Sequence, residues 1–229
     1  ADRTWSSSPG IYQAVTGRSA TDVVAVGTGV TSVWNGSAFP SATASPIGAP
    51  NDIAASATAY YTISDQLFTS PNGSTWTHQP VTPDTLNGVH GMWLAPSGGL
   101  WFAAGSGVYR VDTSLALTTS TTGTFNSIWG AADNDIYVVG NEVRHFDGTQ
   151  WSAMTVPTPA KLNGVWGRTT DDVFAVGVNQ TVLHYHRGLW KQLSTPFTVG
   201  DLGAISGAGD SVFVTSLDGK VYQLVETVP

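Results

Sequence analysis

Apolar and polar residues alternate along most of this chain, and the alternation itself recurs. "DVFAVG" (Asp172–Gly177), "DIYVVG" (Asp135–Gly140) and "DVVAVG" (Asp22–Gly27) are apolar runs opened by Asp and closed by Gly. β-Branched and aromatic residues at a period of two predict strands. Phrases such as "NSIWG" (126–130) and "NGVWG" (163–167) precede these runs. A short polar turn follows, then a third strand such as "VRHFD" or "VLHYH". A tight turn then leads to a fourth strand opening on an aromatic: Phe39, Trp76, Trp151 or Trp190. The tight turns read "NG" at Asn35–Gly36 and Asn72–Gly73 and "DG" at Asp147–Gly148. Such pairs supply the positive φ of a two-residue hairpin. No segment sustains the apolar period of a helix.

Aligning the copies on Val165 gives the counterparts Val15, Ile53, Val89, Ile128 and Ile205, at separations of 38, 36, 39, 37 and 40 residues. Counting from Ile205 through the end and round to Val15 gives 39. Six copies of four antiparallel strands predict an all-β fold, a six-bladed β-propeller forming a single domain over 1–229. The repeats fall at about 10–47, 48–83, 84–122, 123–159, 160–197 and 198–229, the last closed by 1–9. "KVYQLVE" (220–226) supplies a third strand to the sixth copy. "RTWSSSP" (3–9) reads as its fourth, with Trp5 in the place of Trp151 and Trp190. Joining the two would close the ring and remove two exposed sheet edges.

These units resemble the bacterial surface and secreted β-propeller proteins built on "VWG…DDVFAVG…HYDG..W" repeats, over all six copies. "SPNGSTW" (Ser70–Trp76) is similar to the Asp-box of sialidases and related propellers, with Asn72 where that box carries Asp. The resemblance implies a hairpin-folding element rather than an activity. In length and repeat style the chain also resembles small propeller lectins of the tachylectin type.

Composition narrows the functional classes. The chain carries net charge −7 with nine Lys plus Arg, so no basic patch is available for phosphates and no nucleic-acid partner is expected. No apolar run reaches the ~20 residues of a membrane span. Cysteine is absent, which removes disulfides and thiolate metal sites. The start, "ADRTWSSSPG", shows no secretory leader and reads as a mature or trimmed N-terminus. Few charges, nine tryptophans and abundant Ser, Thr and Gly suit an exported protein, extracellular or at the cell surface. A monomer is expected.

Several constellations carry candidate chemistry. Gln13, Asn51, Asn87, Asn126 and Asn163 stand two residues before the reference position, with Gly203 breaking the set. They form a ring of amides at the channel mouth, able to meet a polar ligand or to bind neighbouring backbone. Their recurrence favours the structural role. Trp129, Trp166 and His90 follow the reference position, where a ring could stack on a sugar face or fill the core between blades. Core is expected there, and at Trp5, Trp76, Trp151 and Trp190. His184, His186 and His145 are too few and too far apart for a zinc site, which needs three or four converging ligands. No metal or cofactor is expected.

Among enzymes, a sialidase-like reading needs an arginine cluster. Arg18 and Arg168 are repeat equivalents, which points to structure, and Asp22, Asp135, Asp172 and Asp210 read as turn residues. No catalytic residues are assigned. The tips between second and third strands vary most: "TGV", "SDQ", "GSG", "NE", "VNQ" and "LDGK". Variable polar loops on a rigid frame are where recognition sits. Asp65, Gln66, Asn141, Glu142, Asn179, Gln180 and Asp218 are therefore the candidate ligand-binding residues. The function expected is non-enzymatic, lectin-like recognition of a neutral carbohydrate. A surface protein partner, a structural spacer and a glycan-processing enzyme are the alternatives.

Overall fold

The alternating runs become strands, and the turns between them sort the strands into six antiparallel meanders. The computed structural model describes residues 11–81, 86, 88–195 and 200–224. The first sheet holds β1 (Ala14–Ser19), β2 (Asp22–Gly27), β3 (Val30–Val33) and β4 (Thr43–Ala44). The second holds β5 (Asp52–Ala55), β6 (Tyr60–Ile63), β7 (Leu67–Ser70) and β8 (Thr77–Gln79). The third holds β9 (Val89–Leu94), β10 (Leu100–Ala104), β11 (Gly107–Val111) and β12 (Leu117–Thr122). The fourth holds β13 (Phe125–Ala132), β14 (Asp135–Gly140), β15 (Val143–Phe146) and β16 (Trp151–Ala153). The fifth holds β17 (Leu162–Thr169), β18 (Asp172–Gly177), β19 (Val182–His186) and β20 (Leu189–Gln192). The sixth, with three strands among the described residues, holds β21 (Leu202–Ala208), β22 (Ser211–Ser216) and β23 (Val221–Leu224). The expected closing strand at residues 3–8 lies outside the described residues. Two compact units result, Ala1–Val89 with Val111–Leu117, and His90–Arg110 with Thr118–Pro229.

Turn chemistry departs from the two-residue hairpin expected at the "NG" and "DG" pairs. Phe146 pairs with Trp151, which leaves four residues in the turn. Asp147 Oδ1 accepts the backbone N–H of Thr149 and of Gln150, both at 2.8 Å, and Gly148 takes φ 95°. Asn35 does the same for Ser37 and Ala38, and Asn72 for Ser74 and Thr75. The side-chain oxygen therefore folds each turn as an Asx motif, and only the glycine needs positive φ. A two-residue turn occurs instead at Arg187–Gly188, where both φ values are positive, at 52° and 79°. Phe39 also departs from expectation. It precedes β4 by four residues and packs edge-on to Trp34 at 5.3 Å.

In the first unit, Val24, Val26, Ile53, Tyr60, Phe68 and Trp76 form one buried cluster. A polar latch spans its first two sheets. Arg18 Nε donates to Asp22 at 2.6 Å, Nη1 reaches the Pro71 carbonyl at 3.3 Å, and the guanidinium lies 4.3 Å from the Tyr60 ring centre. The Tyr60 hydroxyl donates to Asp22. Burial, reinforced by that carboxylate, pushes the hydroxyl up to about 12.

In the second unit, each sheet hands a tryptophan to the next. A Cβ on Gly130 would meet the Trp93 ring at 2.7 Å, one on Gly167 the Trp129 ring at 2.5 Å, and one on Gly207 the Trp166 ring at 2.5 Å. The glycine of "IWG", "VWG" and "ISG" is thus the floor against which the preceding sheet's indole packs. Around this contact the apolar faces close into clusters, one of them formed by Tyr137, Val139, Leu162, Val165, Val173 and Trp190 with their neighbours. A second glycine, at the end of the second strand, meets a different constraint. Added Cβ atoms on Gly140 and Gly177 would lie 2.1 Å from the carbonyls of Thr124 and Lys161, on the segments entering β13 and β17.

Gly167→Ala should destabilise the protein by about 1–3 kcal/mol, the usual range for overpacking. The loss should shrink in a Trp129→Ala background, because the obstacle is the indole itself. Urea titrations of the two single variants and the double variant measure that coupling.

Candidate functional site

The tips of the second-to-third-strand hairpins in the second unit are built from the entry segments upward. The backbone N–H of Asn141 donates to Thr124 O, that of Val178 to Lys161 O, and that of Leu217 to Asp201 O, at 2.8–3.2 Å. Each tip is therefore fastened to the chain entering its own sheet, and the terminal glycines Gly140 and Gly177 let that chain pass close. Asp201 Oδ1 further accepts the Asn179 N–H at 2.9 Å. Asn179 and Gln180 hold left-handed backbone, φ 54° and 56°, a conformation tolerated best by Gly, Asn and Asp. Asn179 and Asn141 are exposed and Gln180 is half-buried.

The predicted tip residues divide by what they already bind. Glu142 pairs with Arg144 at 2.7 Å. Asp218 accepts from Ser216 and from Lys220 Nζ, the latter at 2.8 Å, and Lys220 holds its carboxyl below the usual range. Among the described residues, the side-chain amides of Asn141, Asn179 and Gln180 make no hydrogen bond. In the first unit, Asp65 accepts from Ser64 Oγ at 3.0 Å and its carbonyl from Leu86 N–H, with half-buried Gln66 beside it.

Two features of this rim escaped the sequence. Asp201 was invisible because its tip contact runs back to the preceding sheet's hairpin rather than along a motif. Leu217, 70% exposed at the tip of the sixth sheet, was legible only as one apolar residue among polar ones.

Of the amides two residues before the reference position, Asn126 and Asn163 lie on β13 and β17, whereas Gln13 and Asn51 stand just before β1 and β5. Asn126 Nδ2 donates to Leu162 O at 2.7 Å and Asn163 Nδ2 to Leu202 O at 2.8 Å, each reaching the next sheet's first strand. Gln13 instead meets Thr28 Oγ1 at 3.1 Å in its own sheet, and Asn51 is exposed. Asn87 lies outside the described residues.

The charged groups at the opposite ends of the sheets are engaged in latches. Asp135 accepts from His145 Nε2 at 2.6 Å, and Asp172 from His184 Nε2 at 2.7 Å and Arg168 Nε at 2.5 Å. Burial raises the Asp172 carboxyl, but the Arg168 and His184 hydrogen bonds outweigh it and hold the group below its ordinary value. The His184 ring also stacks on Phe174 at 4.3 Å. In the sixth sheet Ser211 stands in the aspartate's place and accepts from Gln223 at 3.3 Å. This register corrects the sequence alignment at Asp210, which precedes the equivalent position by one residue. Among the described residues no three His, Asp or Glu converge as metal ligands. Trp129 and Trp166, candidates for sugar stacking, lie on Gly167 and Gly207.

No protein-family model and no curated protein matches the chain. Solved structures do. A catalytically inactive variant of virginiamycin B lyase from Staphylococcus aureus, with quinupristin, aligns at TM-score 0.73 and 12% identity, covering 93% of this chain and 83% of that one. YCF48 bound to D1 peptide aligns at TM-score 0.76 and 15% identity, over 94% and 79% of the two chains. The extracellular domain of BT4673 from B. thetaiotaomicron aligns at TM-score 0.77 and 17% identity, over 96% of this chain and 32% of that one. At these identities the likeness concerns the fold. The chain is an all-β, six-bladed β-propeller with blades of three to four strands, as the repeat count predicts.

Two measurements check the engaged groups. Asn163→Ala leaves the Leu202 carbonyl without its donor and should cost about 1–3 kcal/mol in chemical unfolding. The Asp172 carboxyl sits below its unfolded value of ~3.9. Its contribution is therefore complete above about pH 5 and is lost progressively as pH falls through the unfolded and then the folded value. Asp172→Asn should lower Tm at pH 7 and flatten the decline of Tm on the acid side, read by calorimetry across pH 2–7.

Proposed function

We propose that this propeller is an exported, non-enzymatic binding module whose ligand is an extended polypeptide held along the tips of the second unit. The observation that carries the reading is the division of the tips. Asn141, Asn179 and Gln180 offer uncharged amide donors and acceptors, and Leu217 adds an exposed apolar contact beside them. Amides match the alternating N–H and C=O groups of a peptide backbone. An enzymatic reading finds little support here, because Arg18, Arg144 and Arg168 and their carboxylate partners are consumed in latches. Among proteins of this fold, YCF48 binds a peptide and BT4673 uses the fold extracellularly, which supports both the ligand class and the location.

A neutral carbohydrate is the second reading, and a separate groove favours it. Thr118, Thr119, Thr149 and Gln150 line a hydroxyl-rich hollow of about 500 Å³ beside Arg110, with Trp101 and half-buried Trp151 in its wall. Hydroxyls next to an indole suit a sugar ring.

Labelled protein applied in parallel to peptide and glycan arrays separates the two. Peptide binding weakened about tenfold by Asn179→Gly and Gln180→Gly, which keep the left-handed backbone, with Thr119→Ala neutral and Tm not lowered, supports the peptide reading. Glycan binding sensitive to Thr119→Ala and Gln150→Ala overturns it in favour of the groove.

A further inference from the structure

The sheets of the second unit repeat one polar latch, and one copy of it lacks its acid. Asp135, at the start of β14, accepts from His145, and Asp172, at the start of β18, accepts from His184. In the sixth sheet Ser211 and Gln223 hold the same two places with a neutral pair. In each sheet the acceptor stands two residues before an aromatic, Tyr137, Phe174 or Phe213. That aromatic is paired across the hairpin with the donor.

The third sheet keeps the plan and changes the residues. Trp101 and Val108 enter the cluster shared with the fourth sheet, as Tyr137 and Val143 enter the one shared with the fifth. Two residues before Trp101 stands Gly99, and two beyond Val108 stands Arg110, in the places of Asp135 and His145. A Cβ on Gly99 would lie 3.5 Å from Arg110 Nε, so the two places face each other here as well. Glycine has removed the acceptor, and the donor has become a permanent cation. Arg110 is exposed, with its guanidinium 5.4 Å from the centre of the buried Trp101 ring. Among the described residues that guanidinium makes no ion pair and no hydrogen bond. The carboxylate on the adjoining turn, Asp133, already accepts from the Ser97 N–H at 3.2 Å and from the Ser97 hydroxyl. Arg18, Arg144 and Arg168, by contrast, each hold a carboxylate.

We propose that a ligand supplies the acid missing from this latch, and that the hollow beside Arg110 is a site for a saccharide bearing a uronic acid. This rests on the groove being a carbohydrate site, the second reading above, and exchanges its neutral sugar for an acidic one. A single guanidinium matches a single carboxylate in fork geometry. A polyanion would meet that one cation against a protein of net charge −7, whose field repels it. Gln150 and Thr119 line the same hollow, and their side chains make no hydrogen bond among the described residues. They offer neutral donors and acceptors to ring hydroxyls. Half-buried Trp151 adds an apolar wall for the face of the sugar.

Gly99→Asp rebuilds the latch within the chain. Its added Cβ would meet nothing closer than 3.5 Å, and Gly99 does not hold left-handed backbone, so an aspartate fits there. Isothermal titration of the full chain with cellobiouronate, a disaccharide with one carboxylate, is compared with titration by its uncharged methyl ester. The expected result is binding of the acid alone, weakened at least about tenfold by Arg110→Gln and by Gly99→Asp, with Tm not lowered in Gly99→Asp. Acid binding that survives Arg110→Gln would overturn the site. Equal binding of acid and ester, indifferent to Arg110→Gln, would overturn the acidic ligand and keep the carbohydrate reading. Binding of neither would overturn both. A Gly-Glu-Gly tripeptide bound as tightly as the acid, with the same sensitivity to Arg110→Gln, would overturn the sugar by assigning the arginine to an acidic polypeptide.

Discussion

The second unit depends on one contact, an indole packed against a residue that has no Cβ. Trp129 over Gly167 and Trp166 over Gly207 set how closely consecutive sheets approach, since any side chain at either glycine would intrude on the ring. Close packing transmits that spacing to the aliphatic clusters around it. It also brings Asn126 and Asn163 within reach of the carbonyls of Leu162 and Leu202. The amide bonds follow from the tryptophan contact, because a wider gap would leave both partners buried and unpaired.

Polar chemistry is distributed by this frame in two directions. At one end of the sheets, Arg, Asp, His and Tyr are tied to one another across neighbouring strands and blades. Tyr137 shows the pattern: burial pushes its hydroxyl up, and it donates to the Thr170 carbonyl at 3.0 Å. At the other end, the tips are fastened mainly through their backbone N–H groups, which leaves the amides of Asn141, Asn179 and Gln180 available. Charged pairs form at both ends, and the groups left over at the tips are neutral amides.

Much of the frame was legible in the sequence because the repeat amplifies weak signals. "WG" read once is two residues; read at Trp129 and again at Trp166 it fixes a register and a face. The sites were less legible because they depend on contacts between segments far apart in the chain. Nothing in "HYH" announces that His184 would be spoken for by Asp172, twelve residues earlier, and stacked on Phe174. The tips were found by their variability, but variability does not say which side chains are spent. Glu142 is bound to Arg144, while its neighbour Asn141 is exposed. The "DG" turn failed differently, since Asp147 could act through φ or through its carboxylate, and only the observed register distinguishes the two.

The handover of a tryptophan from each sheet to the next makes the interface head-to-tail, with unlike halves. Such an interface carries no internal instruction to stop: a duplicated sheet would present a fresh ring and a fresh glycine, and could be docked onto its parent without inventing any contact. At the sixth sheet Ser206, exposed on β21, occupies the tryptophan's position, so that sheet carries the receiving glycine, Gly207, without a ring of its own. The fifth sheet, by contrast, carries both halves of the contact and is the copy whose duplication would need no new chemistry.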